Sequence, residues 1–117
     1  MNQSNYRISL NINGISSPLT LALKRGETNR RIHITLIEYG KPYQISENCY
    51  AYMLLVKEDG AGMQHDCIIQ DNTVIYDLQP STTSTKGNVK CEVVLCSKDN
   101  QKIVSSTFII AVYDTVF

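Results

Sequence analysis

The feature that most constrains this chain is a period of two. In the stretch Arg31-Ile32-His33-Ile34-Thr35-Leu36, the residues Ile32, Ile34 and Leu36 fall on one side and Arg31, His33 and Thr35 on the other. Successive side chains of an extended strand point to opposite faces, so this is the pattern of a half-buried β-strand. The same alternation runs through Tyr6, Ile8, Leu10 and Ile12, through Leu19, Leu21 and Leu23, and through Val89, Cys91, Val93 and Leu95. The run Tyr50 to Val56 is apolar at both parities, as expected of a central strand covered on both sides.

Turn chemistry punctuates these runs. Asn13-Gly14 and Ser16-Ser17-Pro18 break the first, and Tyr39-Gly40-Lys41-Pro42 ends the third, with Tyr43 and Ile45 beginning a short return. Asp59-Gly60 and Asp71-Asn72 read as hairpin turns, and Lys98-Asp99-Asn100-Gln101 turns the chain again. Gln79 to Gly87, rich in Ser and Thr, reads as a crossover loop, and Ile103 to Val112 supplies the last strand or two. No window sustains an i, i+3, i+4 apolar pattern through eleven residues, and β-branched residues are abundant.

Seven to nine strands with turns about every 8–12 residues predict an all-β, immunoglobulin-like two-sheet β-sandwich with Greek-key connections. Its expected core is Ile8, Leu10, Leu21, Ile32, Ile34, Leu36, Met53, Leu55, Val74, Tyr76, Val93, Leu95, Phe108 and Ile110. At 117 residues and 43% hydrophobic content, residues 1–117 read as one domain with a real core, without internal repeat or linker.

Composition narrows the function classes. Lys plus Arg and Asp plus Glu number 11 each, without the basic excess of a chain that neutralises several phosphates. The clustered Arg25, Arg30 and Arg31 read first as a solvated turn. The longest apolar runs, Tyr50 to Val56 and Phe108 to Tyr113, fall far short of the ~20 residues that span a bilayer. No secretory signal pattern opens the chain, so the expectation is a soluble protein made in a cytoplasm, binding no nucleic acid and inserting into no membrane. Cys49, Cys67, Cys91 and Cys96 contain no Cys-x-x-Cys pair and none of the short spacings of a zinc site. They read as reduced thiols packed as small hydrophobes.

Fragments of chemistry are present but incomplete. In His65-Asp66-Cys67 strand parity places His65 and Cys67 together and Asp66 away, and nothing supplies an oxyanion hole or a lowered thiol pKa. His33 stands alone on a polar face. Gly60-Ala61-Gly62 lacks the third glycine of a dinucleotide loop, since His65 occupies that position, and no helix follows. Arg25-Gly26-Glu27-Thr28 precedes a strand and lacks Gly-Lys-Ser/Thr, so it is not a phosphate loop. The reading is a non-enzyme with no catalytic residue, no cofactor and no metal. Seven tyrosines, with Tyr39 and Tyr43 flanking a turn, leave a carbohydrate-binding sandwich as the alternative. Burial of Tyr39, Tyr43, Tyr50 and Tyr52 would disfavour it.

The segments LALKRGETNRRIHITLIEYGKPYQI, VKEDG, CIIQDNTVIYDL, KGNVKCEVVL and STFIIAV, in that order, resemble the N-terminal domain of phage baseplate upper proteins. The resemblance runs from about Tyr6 to Val112. Glu27 and Glu58 stand where that family has Asp and Pro, and both fit turns. Family members continue into a helical linker and a region carrying the receptor-binding protein, whereas this chain stops at Phe117 as an excised domain or a short standalone relative. The adhesin-carrying role is therefore not carried over. The resemblance implies a structural piece of a siphophage tail baseplate, encoded by a prophage and assembled in the bacterial host cytoplasm. Its partners would be other tail proteins and further copies of itself, and its role would support host attachment. Arg25, Arg30, Arg31, Tyr39 and Tyr43 are the candidate interface, since Arg and Tyr are enriched at protein contacts. The strand Tyr6 to Ile12 is a candidate for augmenting a neighbour's sheet.

Overall fold

A computed structural model describes residues 4–12 and 18–115 of the chain. The break expected at Asn13-Gly14 and Ser16-Ser17 lies outside the described residues. Each of the four alternating runs becomes a strand. The described residues form β1 (Ser4–Asn11), β2 (Leu19–Lys24), β3 (Arg30–Glu38), β4 (Lys41–Pro42), β5 (Tyr50–Val56), β6 (Gly62–Gln70), β7 (Thr73–Asp77), β8 (Gly87–Cys96), β9 (Lys102–Val104) and β10 (Phe108–Tyr113). Ten segments exceed the seven to nine expected because β4 and β9 are only two and three residues long. The crossover loop contains one turn of 3-10 helix, Pro80–Thr82.

Tight turns set the hairpin registers as their sequences dictate. Tyr39 and Gly40, at φ of 51° and 77°, join Glu38 to its partner Lys41. Asp71 and Asn72, at 52° and 60°, join Gln70 to Thr73. Two successive residues at positive φ are the type I′ geometry whose twist matches that of paired strands.

The strands form one curled mixed sheet in the order β1-β3-β7-β6-β5-β8-β10-β2, with β4 beside β3 and β9 beside β8. Both outermost pairings are parallel, β1 with β3 and β2 with β10. The curl is made by β6. Its residues Gly62 to Cys67 pair with β5, and Ile68 to Gln70 pair with β7. The sheet thus has two halves, β1-β3-β7 and β5-β8-β10-β2, joined through one strand.

The halves face one another across a single core. Ile8, Leu10, Ile32, Ile34, Leu36, Val74 and Tyr76 come from one side, and Met53, Leu55, Val89, Cys91, Val93, Leu95, Phe108 and Ile110 from the other. Of the expected core residues, Leu21 alone is half-buried rather than buried, because β2 is an edge strand with a neighbour on one side only. Burying each large side chain contributes roughly 1.5–3 kcal/mol, so this shared interior dominates stability.

Both ends of the core are sealed by loop polar groups. Thr82 and Thr83 are fully buried, and the Thr82 hydroxyl lies 2.8 Å from the Tyr76 hydroxyl. Ser105 is buried between β9 and β10, where its Oγ accepts from the Val93 N–H at 2.9 Å and donates to the Ser106 carbonyl. Next to it, the Ser106 N–H reaches the Asn11 carbonyl of β1 at 2.7 Å. The cover expected on both faces of β5 is present on one. The β5 residues Ala51, Met53 and Leu55 are covered, but Tyr50 and Val56 are exposed and Tyr52 and Leu54 only half-buried. The doubly apolar pattern is covered on its inner face alone.

Candidate interaction site

The three arginines do not form one basic patch. Arg25 pairs with Asp114, just past β10, at 3.2 Å. Arg30 folds back on Glu27, with its Nε donating at 2.7 Å and its Nη2 at 2.6 Å from the same oxygen. Arg31 grips Asp77 of β7 with two bonds, Nε to Oδ1 at 2.8 Å and Nη2 to Oδ2 at 3.2 Å. Arg30 and Arg31 are neighbours in sequence but lie on opposite faces of β3, as strand parity requires.

The corner that carries them is part of the fold's internal bracing. The Glu27 N–H donates to the Lys24 carbonyl at 3.1 Å, closing a turn. The Gly26 N–H donates to the Thr83 carbonyl at 2.8 Å, and the Thr83 hydroxyl donates to the Glu27 carbonyl at 2.7 Å. Gly26 sits at φ 82°, where a side chain is strained. Burial alone would raise the Glu27 carboxyl. Hydrogen bonds from the Lys24 amide and Arg30, helped by the positive charges of Arg30 and Lys24, outweigh burial and hold it below its ordinary value. Glu therefore fills the corner position by reaching back across the turn.

Tyr39 and Tyr43 behave differently. Tyr39, at the β3–β4 turn, is 82% exposed, whereas Tyr43 packs partly against the core. The Tyr43 N–H donates to the Leu36 carbonyl at 2.7 Å, and its carbonyl accepts from Asn72 at 3.0 Å. Among the tyrosines named for sugar contact, Tyr50 is also exposed, at 56%, while Tyr52 is half-buried. Tyr39 and Tyr50 belong to different halves of the sheet and form no continuous row along one strand.

The chemical fragments resolve into structural contacts. His65 and Cys67 share the inward side of β6, as parity required, and Asp66 points outward. The His65 ring lies nearly parallel to that of Tyr76, and its Nδ1 is 2.7 Å from the Tyr76 hydroxyl. Burial pushes the Cys67 thiol up to about 12, with Asp66 and Asp77 adding to it, and likewise raises Cys91 to about 12. That direction is opposite to what a nucleophilic thiol needs. All four cysteines are free. His33, on the outer face of β3, is bonded through Nε2 to Asn5 at 2.9 Å.

The open edges are the feature that residue-by-residue reading left incomplete. Among the described strands, β1 and β2 end the sheet, each paired on one side only. The Ile12 N–H donates to Ile37 of β3, whereas the Asn11 carbonyl points the other way, to Ser106. By alternation, the backbone groups of Arg7 and Ser9 face the open edge of β1.

A family model for the BppU N-terminal domain matches residues 2–116. No curated protein matches the chain. Among solved structures, the N-terminal domain of phage TP901-1 ORF48 superposes with a TM-score of 0.75 at 14% identity, covering 94% of this chain and 98% of that one. The fibronectin(III)-like modules of Clostridium thermocellum CbhA give 0.48 at 15% identity, over 92% and 96%. The first of these shares the fold, and the family match spans nearly the whole sequence. The chain belongs to the N-terminal domain family of phage baseplate upper proteins.

Proposed function

We propose that this chain is a non-enzymatic assembly module of a phage or prophage tail baseplate, which docks to other tail proteins and supports host attachment. The family match over residues 2–116 carries this reading. In it, the two facing halves of the curled sheet act as an immunoglobulin-like sandwich with Greek-key connections, assembled in the host cytoplasm and built into the virion. The module offers surface rather than chemistry: its raised thiols and its bonded histidines support a structural role.

The docking element is the open edge of β1, where an extended segment of a tail protein adds a strand. Exposed Arg25 and Tyr39 flank the sheet and add side-chain contacts. The test is a pull-down of the tail proteins encoded beside this chain, with wild-type and Ser9→Pro forms. Proline at Ser9 removes an outward N–H while sparing the bonds of β1 to β3. The wild type is expected to retain a tail protein and a folded Ser9→Pro variant to lose it. Equal retention by both would dismiss the β1 edge. Carbohydrate contact is the second reading, favoured by the exposure of Tyr39, and binding to host glycans lost in Tyr39→Ala would establish it.

A further inference from the structure

On the outer face of the β5-β8 half, Val94, Cys96 and Ala111 are buried, but a patch around Val56 and half-buried Leu54 is left open. Leu54, Val56, Gly62, Gln64, Lys90 and Glu92 line an open groove of about 550 Å³, with Thr107 at its rim. Val56 is 45% exposed on a strand whose other face lies in the core. Exposed apolar surface next to the centre of a sheet marks a contact that the chain by itself leaves unmade.

The register arranges this groove in two layers. In one, Gln64, Leu54 and Glu92 lie side by side across β6, β5 and β8, and in the next, Gly62, Val56 and Lys90 do. A two-fold axis in the plane of the face, perpendicular to the strands and between the layers, exchanges them. It sets Lys90 of each copy against Glu92 of the other and Leu54 against Val56. It also places each Gln64 over Gly62, where no side chain stands in the way. Lys90 has no carboxylate partner among the described residues, and Glu92 is held by the Thr107 hydroxyl at 3.3 Å, which fixes its place at the groove.

We infer that this face is an isologous interface, and that its occupant is a second copy of the chain packed sheet on sheet across Leu54, Val56, Lys90 and Glu92. Charge self-complementarity carries the choice of occupant. One copy brings a cation and an anion two residues apart, and the two-fold brings their complements in the required order. Sheets meeting face to face pack about 10 Å apart, a distance at which side chains of both copies interdigitate. The β1 edge is elsewhere, so this contact stands whether or not that edge binds a tail protein.

Sedimentation equilibrium of the purified chain over a range of concentrations tests it. The wild type is expected to form a dimer. Lys90→Glu and Glu92→Lys, each confirmed folded by circular dichroism, should each raise the dissociation constant about tenfold or more, because like charges then meet twice across the axis. The double variant Lys90→Glu/Glu92→Lys should return the dissociation constant to within about threefold of wild type. Ser9→Pro should leave it unchanged. A wild type that stays monomeric, a Lys90→Glu variant that dimerises as well as wild type, or a double variant without recovery would each overturn the inference. So would loss of tail-protein binding in Val56→Glu with a monomeric wild type, which would assign the groove to that protein.

Discussion

The two halves of the sheet share one core and differ on their outer faces. On the β1-β3-β7 side, most outward residues are polar and several are bonded to each other, Arg31 to Asp77 and His33 to Asn5, with Arg7 and Thr73 around them; Ile37, Ile75 and the β6 residue Ile68 are the apolar exceptions. On the β5-β8 side they include Tyr52, Leu54, Val56, Val104 and Ile109, and the charges are confined to a few positions such as Lys90 and Glu92. The inward alternation is the same in both halves. What differs is whether the outward residues are satisfied within the chain, and an unsatisfied apolar face is the one that calls for a partner.

The largest effects should come from the shared interior and should be alike in both halves. Ile34 and Met53 are both fully buried, one from each half. Alanine at either is expected to cost about 2–5 kcal/mol by urea denaturation, from lost transfer energy plus the cavity left behind. If Ile34→Ala costs no more than an exposed substitution, the halves do not share one core. Leu54→Ala, on the uncovered face, should cost the monomer clearly less than Met53→Ala one position away.

Next comes the attachment of β8, the strand that carries Lys90 and Glu92. Gly87 opens it at φ 126°, and a Cβ there would lie 2.9 Å from Glu58 Oε2. The same carboxylate accepts the Asn88 N–H at 2.9 Å through Oε1. Gly87→Ala should destabilise by about 1–3 kcal/mol, since strain at that φ remains even if Glu58 moves aside. Adding Glu58→Ala should recover only the steric share. Full recovery would mean that the backbone tolerates a side chain at Gly87.

Much of this was legible in the sequence, and the limits are physical. Parity placed Ile32, Ile34, Leu36, Met53 and Val93 inside because a strand offers only two faces. The turns at Tyr39-Gly40 and Asp71-Asn72 were legible because few residues accept positive φ. Strand partners were not, because alternation says which face is buried but not which strand lies beside which. The parallel pairings of β1 with β3 and β2 with β10, and the exchange of partners along β6, have no local signature. The partners of the clustered arginines were not legible for a related reason. Arg31 finds Asp77 and Arg25 finds Asp114 across long stretches of chain, which nearness in sequence does not reveal. The apolar outer face of β5 was visible, but its cover was assigned to this chain.

A smaller effect separates the faces by charge. The Arg31–Asp77 pair is bidentate, yet its side chains remain 31% and 41% exposed. A double-mutant cycle should give only a small coupling, falling as salt rises. Arg31→Ala should leave the sedimentation behaviour unchanged, because the polar face is already satisfied. An effect of Arg31→Ala on association as large as that of Lys90→Glu would erase the distinction between the two faces.

The smallest effect is expected from pH, and it reaches both halves. Burial lowers the pKa of His65, which faces inward against Tyr76. On the polar face, burial and then the charges of Arg7 and Arg31 lower His33, with Asp77 opposing. The unfolded chain therefore binds protons at these rings before the native one does, as pH falls from the ordinary histidine value of 6.5. Stability is complete above that value and declines as pH drops through it toward the native pKa values. Glu27 adds its own decline only below the ordinary carboxyl value of 4.5, so the two windows are separable. Urea midpoints measured from pH 7.5 down to about 5 should fall in the wild type and fall less in His65→Gln and in His33→Gln. The slope against pH is the readout, because His65→Gln also loses the Tyr76 contact and lowers stability at every pH. A slope unchanged in both variants would mean that neither ring is held neutral by the fold.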